Sequence, residues 1–294
     1  MRYILENEYL ICEFDTHGAE LKSVESKKTA HEYMWYGDEK YWGRTSPVLF
    51  PFVGSLKNKE YTWQGKNYPM GQHGFARDME FAVTELTLDE IWFGLKSDTV
   101  TMSKYPFEFA LEIGYRLSEN ELFVKWRVRN TGNGEMYFSI GAHPAFICPV
   151  HGESSKTGYK IGFDGAEKMI HHGNTRDTGL SVSESIEMPL DNGKVTITDT
   201  FFDRCTYFFE NRQTGGVTLF DTLDKPIVKV TFDAPLFALW SPEGKNAPFI
   251  CIEPWYGRCD STDFDGDLSQ REYTNTLGKG ETFAASYKMT FFEV

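Results

Sequence analysis

The chain has 294 residues, a net charge of −13 and a hydrophobic fraction of 40%, with aromatics at 16%. That is ample apolar mass for a sizeable core, and the negative charge argues against a nucleic-acid surface or an anionic membrane as partner. It suits a protein that binds something small and neutral.

No apolar run approaches the length that spans a bilayer, and Glu6 follows Met1 too closely for a secretory signal. Cys12, Cys148, Cys205, Cys251 and Cys259 are odd in number and scattered, without a C-x-x-C pair. They read as reduced thiols of a cytoplasmic protein, with neither a disulfide frame nor a zinc site.

Period-two patterns dominate from the start. Tyr9 to Phe14 and Ala19 to Val24 are short strands split by the turn Asp15-Thr16-His17-Gly18, and Tyr33 to Tyr36 reads as another strand. Ser46 to Leu56 differs: it is very apolar, yet Pro47 and Pro51 forbid both a central strand and a regular helix. Such a loop is either a plug closing one end of a sandwich or a wall of a ligand site. Glu60 to Met70 reads as a hairpin turning at Gly65. It leads into His73-Gly74-Phe75-Ala76-Arg77, where glycine lets the backbone approach a ligand closely.

Met79 to Leu86, Ile91 to Lys96, Phe107 to Leu117 and Glu121 to Asn130 form a ladder of strands, the last two joined by a short polar turn and so paired antiparallel. Ser97 to Tyr105 is the main helical candidate. Next, the strand run from Glu135 to Ile140 gives way to Gly141-Ala142-His143-Pro144. Proline holds His143 extended among small neighbours, which suits either a pocket-facing imidazole or a core histidine bonded to a carbonyl. Cys148 to Leu190 is the least patterned stretch and is expected as surface loops with short strands. His151, His171 and His172 read there as surface residues, the adjacent pair pointing in opposite directions.

Strands resume at 194–198, 205–210, 216–221, 227–232 and 237–240, with Asp203 just before the second as a turn cap or a site carboxylate. Phe249 to Gly257 is apolar on both faces and carries Glu253 before Pro254. A buried carboxylate there must be bonded, paired or functional. The alternatives are a tuned acid or base and a buried ion-pair partner of Arg77 or Arg258. Thr282 to Val294 closes the chain as a last strand.

The sum is an all-β, large antiparallel sandwich with few short helices. No dinucleotide-binding, P-loop, zinc-protease or nucleophile-elbow motif is present, so no cofactor and no metal are expected. Histidines, one glutamate, an arginine and aromatics in a neutral cleft suit a sugar.

At these residues the chain resembles the aldose 1-epimerase (galactose mutarotase) family. Phe50-Pro51-x-x-Gly54, His73-Gly74-Phe75-Ala76-Arg77, His143-Pro144 and Cys251-Ile252-Glu253-Pro254-Trp255 are similar to its LacX-type branch. The resemblance implies one β-supersandwich domain over 1–294 and interconversion of the α and β anomers of a hexose. Glu253 would be the general base at the C1 hydroxyl and His143 the general acid at the ring oxygen. His73, Arg77, Asp203, Lys57 and Trp240 would bind the sugar.

One departure is visible: family members carry an arginine after the loop glycine, and here Ser55 follows Gly54, leaving Arg77 or Lys57 for that role. The competing readings are a hexose-6-phosphate epimerase, using Arg44, Lys57, Lys59 and Arg77 on a phosphate, and a non-catalytic sugar-binding or sensor module.

Overall fold

A computed structural model describes residues 1–204 and 206–294. Among the described residues the architecture is almost entirely antiparallel β. A nine-stranded sheet is centred on Phe109–Ser118, Glu121–Asn130 and Thr282–Phe291. An eight-stranded sheet contains Leu236–Trp240, Phe249–Tyr256, Ile140–Ala142 and Val48–Leu49. A three-stranded sheet, Arg2–Glu6, Leu10–Asp15 and Glu20–Ser26, opens the chain. The predicted hairpin is present as Glu60–Trp63 and Lys66–Pro69, with Gln64 and Gly65 both at positive φ, as a tight two-residue turn demands.

The nine-stranded sheet follows its sequence pattern. Leu122, Val124, Trp126 and Val128 face inward while the residues between them stay partly or fully exposed. Trp126 meets Tyr256 of the other sheet edge to face at 6.1 Å, and Phe163 and Phe232 meet Phe237 at 6.2 and 5.3 Å. These aromatic contacts lie in the main core, which all three larger sheets share. The helix forms at Thr99–Lys104, and Asp98 caps it by accepting the Thr101 N–H.

Three expectations need correction. Tyr33 to Tyr36 is not a strand: Met34 makes an isolated bridge to Phe146, and Trp35 N–H donates to the Ala145 carbonyl. The stretch expected as loops with short strands contains two longer ones: Ser181–Pro189 at the sheet edge, mostly exposed, and Lys168–Asn174 beside it, where His171 and Gly173 at buried positions hide the alternation. His171 is buried there against Tyr207, 4.7 Å between ring centroids, while His172 stacks on Phe208 on the opposite face. The strand expected at 205–210 is present at Tyr207–Phe209; Cys205 lies outside the described residues. Cys12, Cys148, Cys251 and Cys259 are buried and free. No helix among the described residues is long and apolar enough to cross a membrane.

Candidate active site

The eight-stranded sheet turns one face to the core and the other to a loop-covered cleft. Along Phe249–Tyr256, Ile250 and Ile252 enter the main core, while Cys251, Glu253 and Trp255 point the other way. Loops cover that outer face too, which is why the strand reads as apolar on both sides.

Register then places the central pair. Gly141 pairs with Trp255 and Ala145 pairs with Cys251. The position midway sets His143 opposite Glu253. Pro144 has no N–H to give the ladder, so the strand breaks there and resumes at Ala145–Ile147 instead of ending. Facing residues on adjacent strands are within side-chain reach, and His143 Nε2 lies 3.3 Å from Glu253 Oε2. The neighbours make room. Ala238 is the partner of Glu253 on the other side, and a Cβ at Gly141 would come within 2.8 Å of the Trp255 ring.

The proline-rich loop and the His-Gly loop lock together beside this pair. His73 N–H donates to the Gly54 carbonyl at 2.9 Å, and Gly54 N–H donates to His73 Nδ1 at 3.1 Å. The second bond makes Nδ1 an acceptor, so the ring proton sits on Nε2, available to a ligand. The geometry is costly for a non-glycine: His73 has φ 65°, in a region that costs of order 1–3 kcal/mol. Gly54 and Gly74 also have positive φ, and a Cβ on Gly54 would be 2.6 Å from Cys259 Cβ. The Phe50–Gly54 segment is thus both things the sequence suggested, a core plug through Phe50 and Phe52 and a cleft wall through Gly54 and Ser55.

Burial governs the electrostatics. It drives the Glu253 carboxyl well above the usual range, opposed only by the nearby Trp255 indole, whose N–H and both carboxylate oxygens make no hydrogen bond among the described residues. Burial, with Arg77 and Arg44 adding repulsion, lowers His143 to about 3. It also pushes His73 well below its ordinary value, helped by His143 and the same arginines. The resting site therefore favours neutral imidazoles and a protonated Glu253. Trp42 stacks on the His143 ring at 4.7 Å, and Trp240 meets it edge-on at 5.3 Å. The ion-pair alternative for Glu253 does not hold: Arg258 pairs with Glu210 and Glu272, and Arg77 donates to the Gln72 carbonyl.

His143, Glu253, His73, Arg77 and Trp240 all line one cleft of about 720 Å³. Two expected sugar-binding residues do not. Asp203 caps a turn instead, its Oδ1 accepting the Gly244 N–H at 3.0 Å. Lys57 turns outward to Asp265 at 2.7 Å, and Arg44 is engaged by Asp78 at 2.7 Å. Lys59 does line the cleft. Trp42, Asn174, Arg176 and Glu243 line it as well, although nothing in the residue pattern singles them out. They lie on irregular segments or at strand ends, where no periodicity points them inward. In the same loop as Arg176, Gly179 packs on Ser55: a Cβ there would be 2.7 Å from Ser55 Oγ.

A neutral acid, a base and a fixed N–H donor side by side in a cleft can move protons between two oxygens of one small polyol. The aldose 1-epimerase family model matches residues 1–290. The chain is 30% identical to the chromosomal protein LacX of Lactococcus lactis subsp. lactis over 295 residues, covering 97% of this chain and 98% of that one. It is also similar to two solved structures. A galactose mutarotase related enzyme from Lactobacillus acidophilus has 35% identity and a TM-score of 0.94, covering 100% of this chain and 98% of that chain. A galactose mutarotase-like protein from Lactobacillus casei has 28% identity and a TM-score of 0.93, covering 99% and 100%.

Proposed function

The chain belongs to the aldose 1-epimerase family, and on that premise we propose that it interconverts the α and β anomers of a hexose, with His143 and Glu253 as the proton-transferring pair. The observation that carries this reading is the 3.3 Å approach of His143 Nε2 to Glu253 Oε2 within the cleft. O1 and O5 of a cyclic aldose are bonded to the same carbon, so the acid and the base that serve them must stand together.

Glu253 takes the proton from the C1 hydroxyl while His143 gives one to O5. The C1–O5 bond breaks and C1 becomes an aldehyde. Rotation about C1–C2 presents the other carbonyl face; O5 attacks it, returning its proton to His143 as Glu253 returns one to O1. Protons balance over the cycle, and the pair carries no net charge in either state. Opening starts from the carboxylate–imidazolium form, reached when the Glu253 proton passes to His143 Nε2 across their 3.3 Å contact, and it returns the pair to carboxylic acid and imidazole, the neutral arrangement that burial favours. His73 Nε2–H stabilises charge developing on the sugar oxygen. In this reading Arg77 takes the role of the family arginine expected after the loop glycine, since Arg176 is paired with Glu243 at 2.8 Å and Lys57 with Asp265 at 2.7 Å. The chain from 1 to 294 acts as one domain.

Polarimetry on freshly dissolved α-D-glucose and α-D-galactose tests it, with His143→Ala and Glu253→Gln as controls. Equal decay of rotation with and without protein, over a panel of aldoses, overturns it; affinity without turnover makes the protein a binding module.

A second reading, a phosphorylated hexose as substrate, is favoured by one observation. Lys59, Arg77 and Arg176 line the cleft, and the buried Arg77 Nε has no hydrogen-bond partner among the described residues. Stronger competition by hexose 6-phosphates than by free hexoses decides for it.

A further inference from the structure

We propose that the floor of this cleft is a binding site for a thiophilic divalent cation such as Zn²⁺, held by His143 Nε2, the Glu253 carboxylate and Cys251 Sγ, and that the ion blocks the site. The ligand atoms of these three buried residues lie within 4.8 Å of one another. Strand geometry explains the cluster: Cys251 and Glu253 are two apart on Phe249–Tyr256 and share its outer face, while His143 faces them across the broken strand. Ligands drawn from separate strands leave no spacing motif, so the sequence reads as metal-free.

Zinc ligand bonds of about 2.0–2.2 Å to nitrogen and oxygen put two tetrahedral ligands roughly 3.4 Å apart. The His143 Nε2 to Glu253 Oε2 separation is already 3.3 Å. The thiol has at most about an ångström to travel, given Zn–S bonds of about 2.3 Å. One thiolate and one carboxylate neutralise the ion, so a closed complex adds no net charge to a dry region. Both Glu253 oxygens and His143 Nδ1 are buried without hydrogen-bond partners among the described residues, a cost that bonding to a cation relieves at the carboxylate. His143 and Glu253 line the cleft while Cys251 lies beneath them, so a fourth ligand to the ion would be a water from the cleft, as in three-ligand zinc sites. Imidazole, carboxylate and thiol favour zinc or cobalt over magnesium or calcium, which take oxygen ligands.

The proposal does not rest on anomer chemistry, because its main test needs no sugar turnover. Metal-free protein is titrated with Co²⁺ under reducing conditions and followed by absorption. We expect one equivalent bound, with a thiolate-to-cobalt charge-transfer band and tetrahedral visible bands. Cys251→Ser and Cys251→Ala should lose the charge-transfer band and bind at least about tenfold more weakly, since even removing groups that only orient metal ligands costs about 10–100-fold. Cys259→Ser, altering the thiol on the cleft wall, should keep the band. His143→Ala, which retains every cysteine, should lose the tetrahedral signature, so the test survives if the Cys251 variants fail to fold. Zn²⁺ should displace Co²⁺ and abolish any catalysed mutarotation. A wild-type titration without a thiolate band, or a band that persists in folded Cys251 variants, overturns the proposal.

Discussion

The two large sheets obey different rules. The nine-stranded sheet is regular at its centre, with register shifts only towards its flanks at Leu219/Phe220 and Val83/Glu85: Glu121–Asn130 pairs residue by residue with Phe109–Ser118 on one side and Thr282–Phe291 on the other, and its charged side chains stay on the solvated face. The eight-stranded sheet breaks the same rules around one spot. It has a proline-interrupted strand, a two-residue strand at Val48–Leu49, a left-handed His73 beside it, and a carboxyl buried without a hydrogen-bond partner among the described residues. Local violations cost stability and persist where something else requires them. One sheet is scaffold; the other gives up regularity to hold His143, Glu253 and His73 together.

That contrast is sharpest in a pair of substitutions. Glu253→Gln and His143→Ala should each reduce catalysed mutarotation by roughly 10²–10⁴-fold, the usual share of an acid or base, while leaving the fold intact. Ile113→Ala in the regular sheet should do the reverse. Ile113 is fully buried, facing Trp126 and Phe93 on its two neighbours, and its truncation should cost about 2–5 kcal/mol with kcat/KM unchanged. Urea denaturation and polarimetry on the same preparations check both. Comparable activity losses in the two sheets would break the division.

The pH dependence of stability sharpens it further. The folded pKa of Glu253 is raised, so its neutral form is the one the fold favours. That contribution is complete below the unfolded value of roughly 4.3 and is lost as pH rises through the folded value. His143 is lowered to about 3, so its contribution is complete above its unfolded value of roughly 6.5 and is lost as pH falls towards about 3. The two slopes oppose each other between the two unfolded values. Compared with wild type, Glu253→Gln should gain relative stability as pH rises above about 4.3, and His143→Ala should gain as pH falls below about 6.5. Denaturation midpoints from pH 4 to 9, given as roughly the range around these reference values, measure both. Parallel curves for wild type and both variants would mean that the pair is solvated.

The regular sheet is the part that the sequence reveals most fully. The alternation in Leu122-Phe123-Val124-Lys125-Trp126 survives because one face is wet and the other dry, and the Glu121–Asn130 strand has the expected bounds. The edge strand Ser181–Pro189 escapes notice because a mostly exposed strand has no dry face to mark, and its neighbour Lys168–Asn174 because its dry face carries His171 and Gly173 while Ile170 is exposed. In the site, Glu253 and His143 stand out because a carboxyl in an apolar run and a histidine before proline are locally anomalous. Trp42 and Arg176 are not anomalous in sequence; only tertiary packing of their loops brings them to the cleft. Asp203 and Lys57 mislead for the same reason, since spacing along the chain cannot say whether a carboxylate caps a turn or faces a ligand, or which way a lysine leaves its backbone.

The smallest expected effect comes from the regular sheet's own ion pair. Lys125 Nζ lies 2.8 Å from Glu90 Oε1, closer than His143 is to Glu253. Distance alone would rank it as the stronger interaction, but both side chains of the outer pair reach water, at 31% and 20% exposure, against 8% and 1% at the site. Water screens the first pair, and Glu90 keeps the Trp92 indole N–H as a donor at 2.6 Å if the lysine is removed. Arg127, 4.0 Å above the Trp92 ring, continues to cover it. Lys125→Ala should therefore cost no more than about 1 kcal/mol, less at high salt, and leave mutarotation untouched. A loss of several kcal/mol, read by urea denaturation at low and high salt, would show that the outer face of this sheet is not the solvated surface assigned to it, and that charge burial does not separate the two sheets.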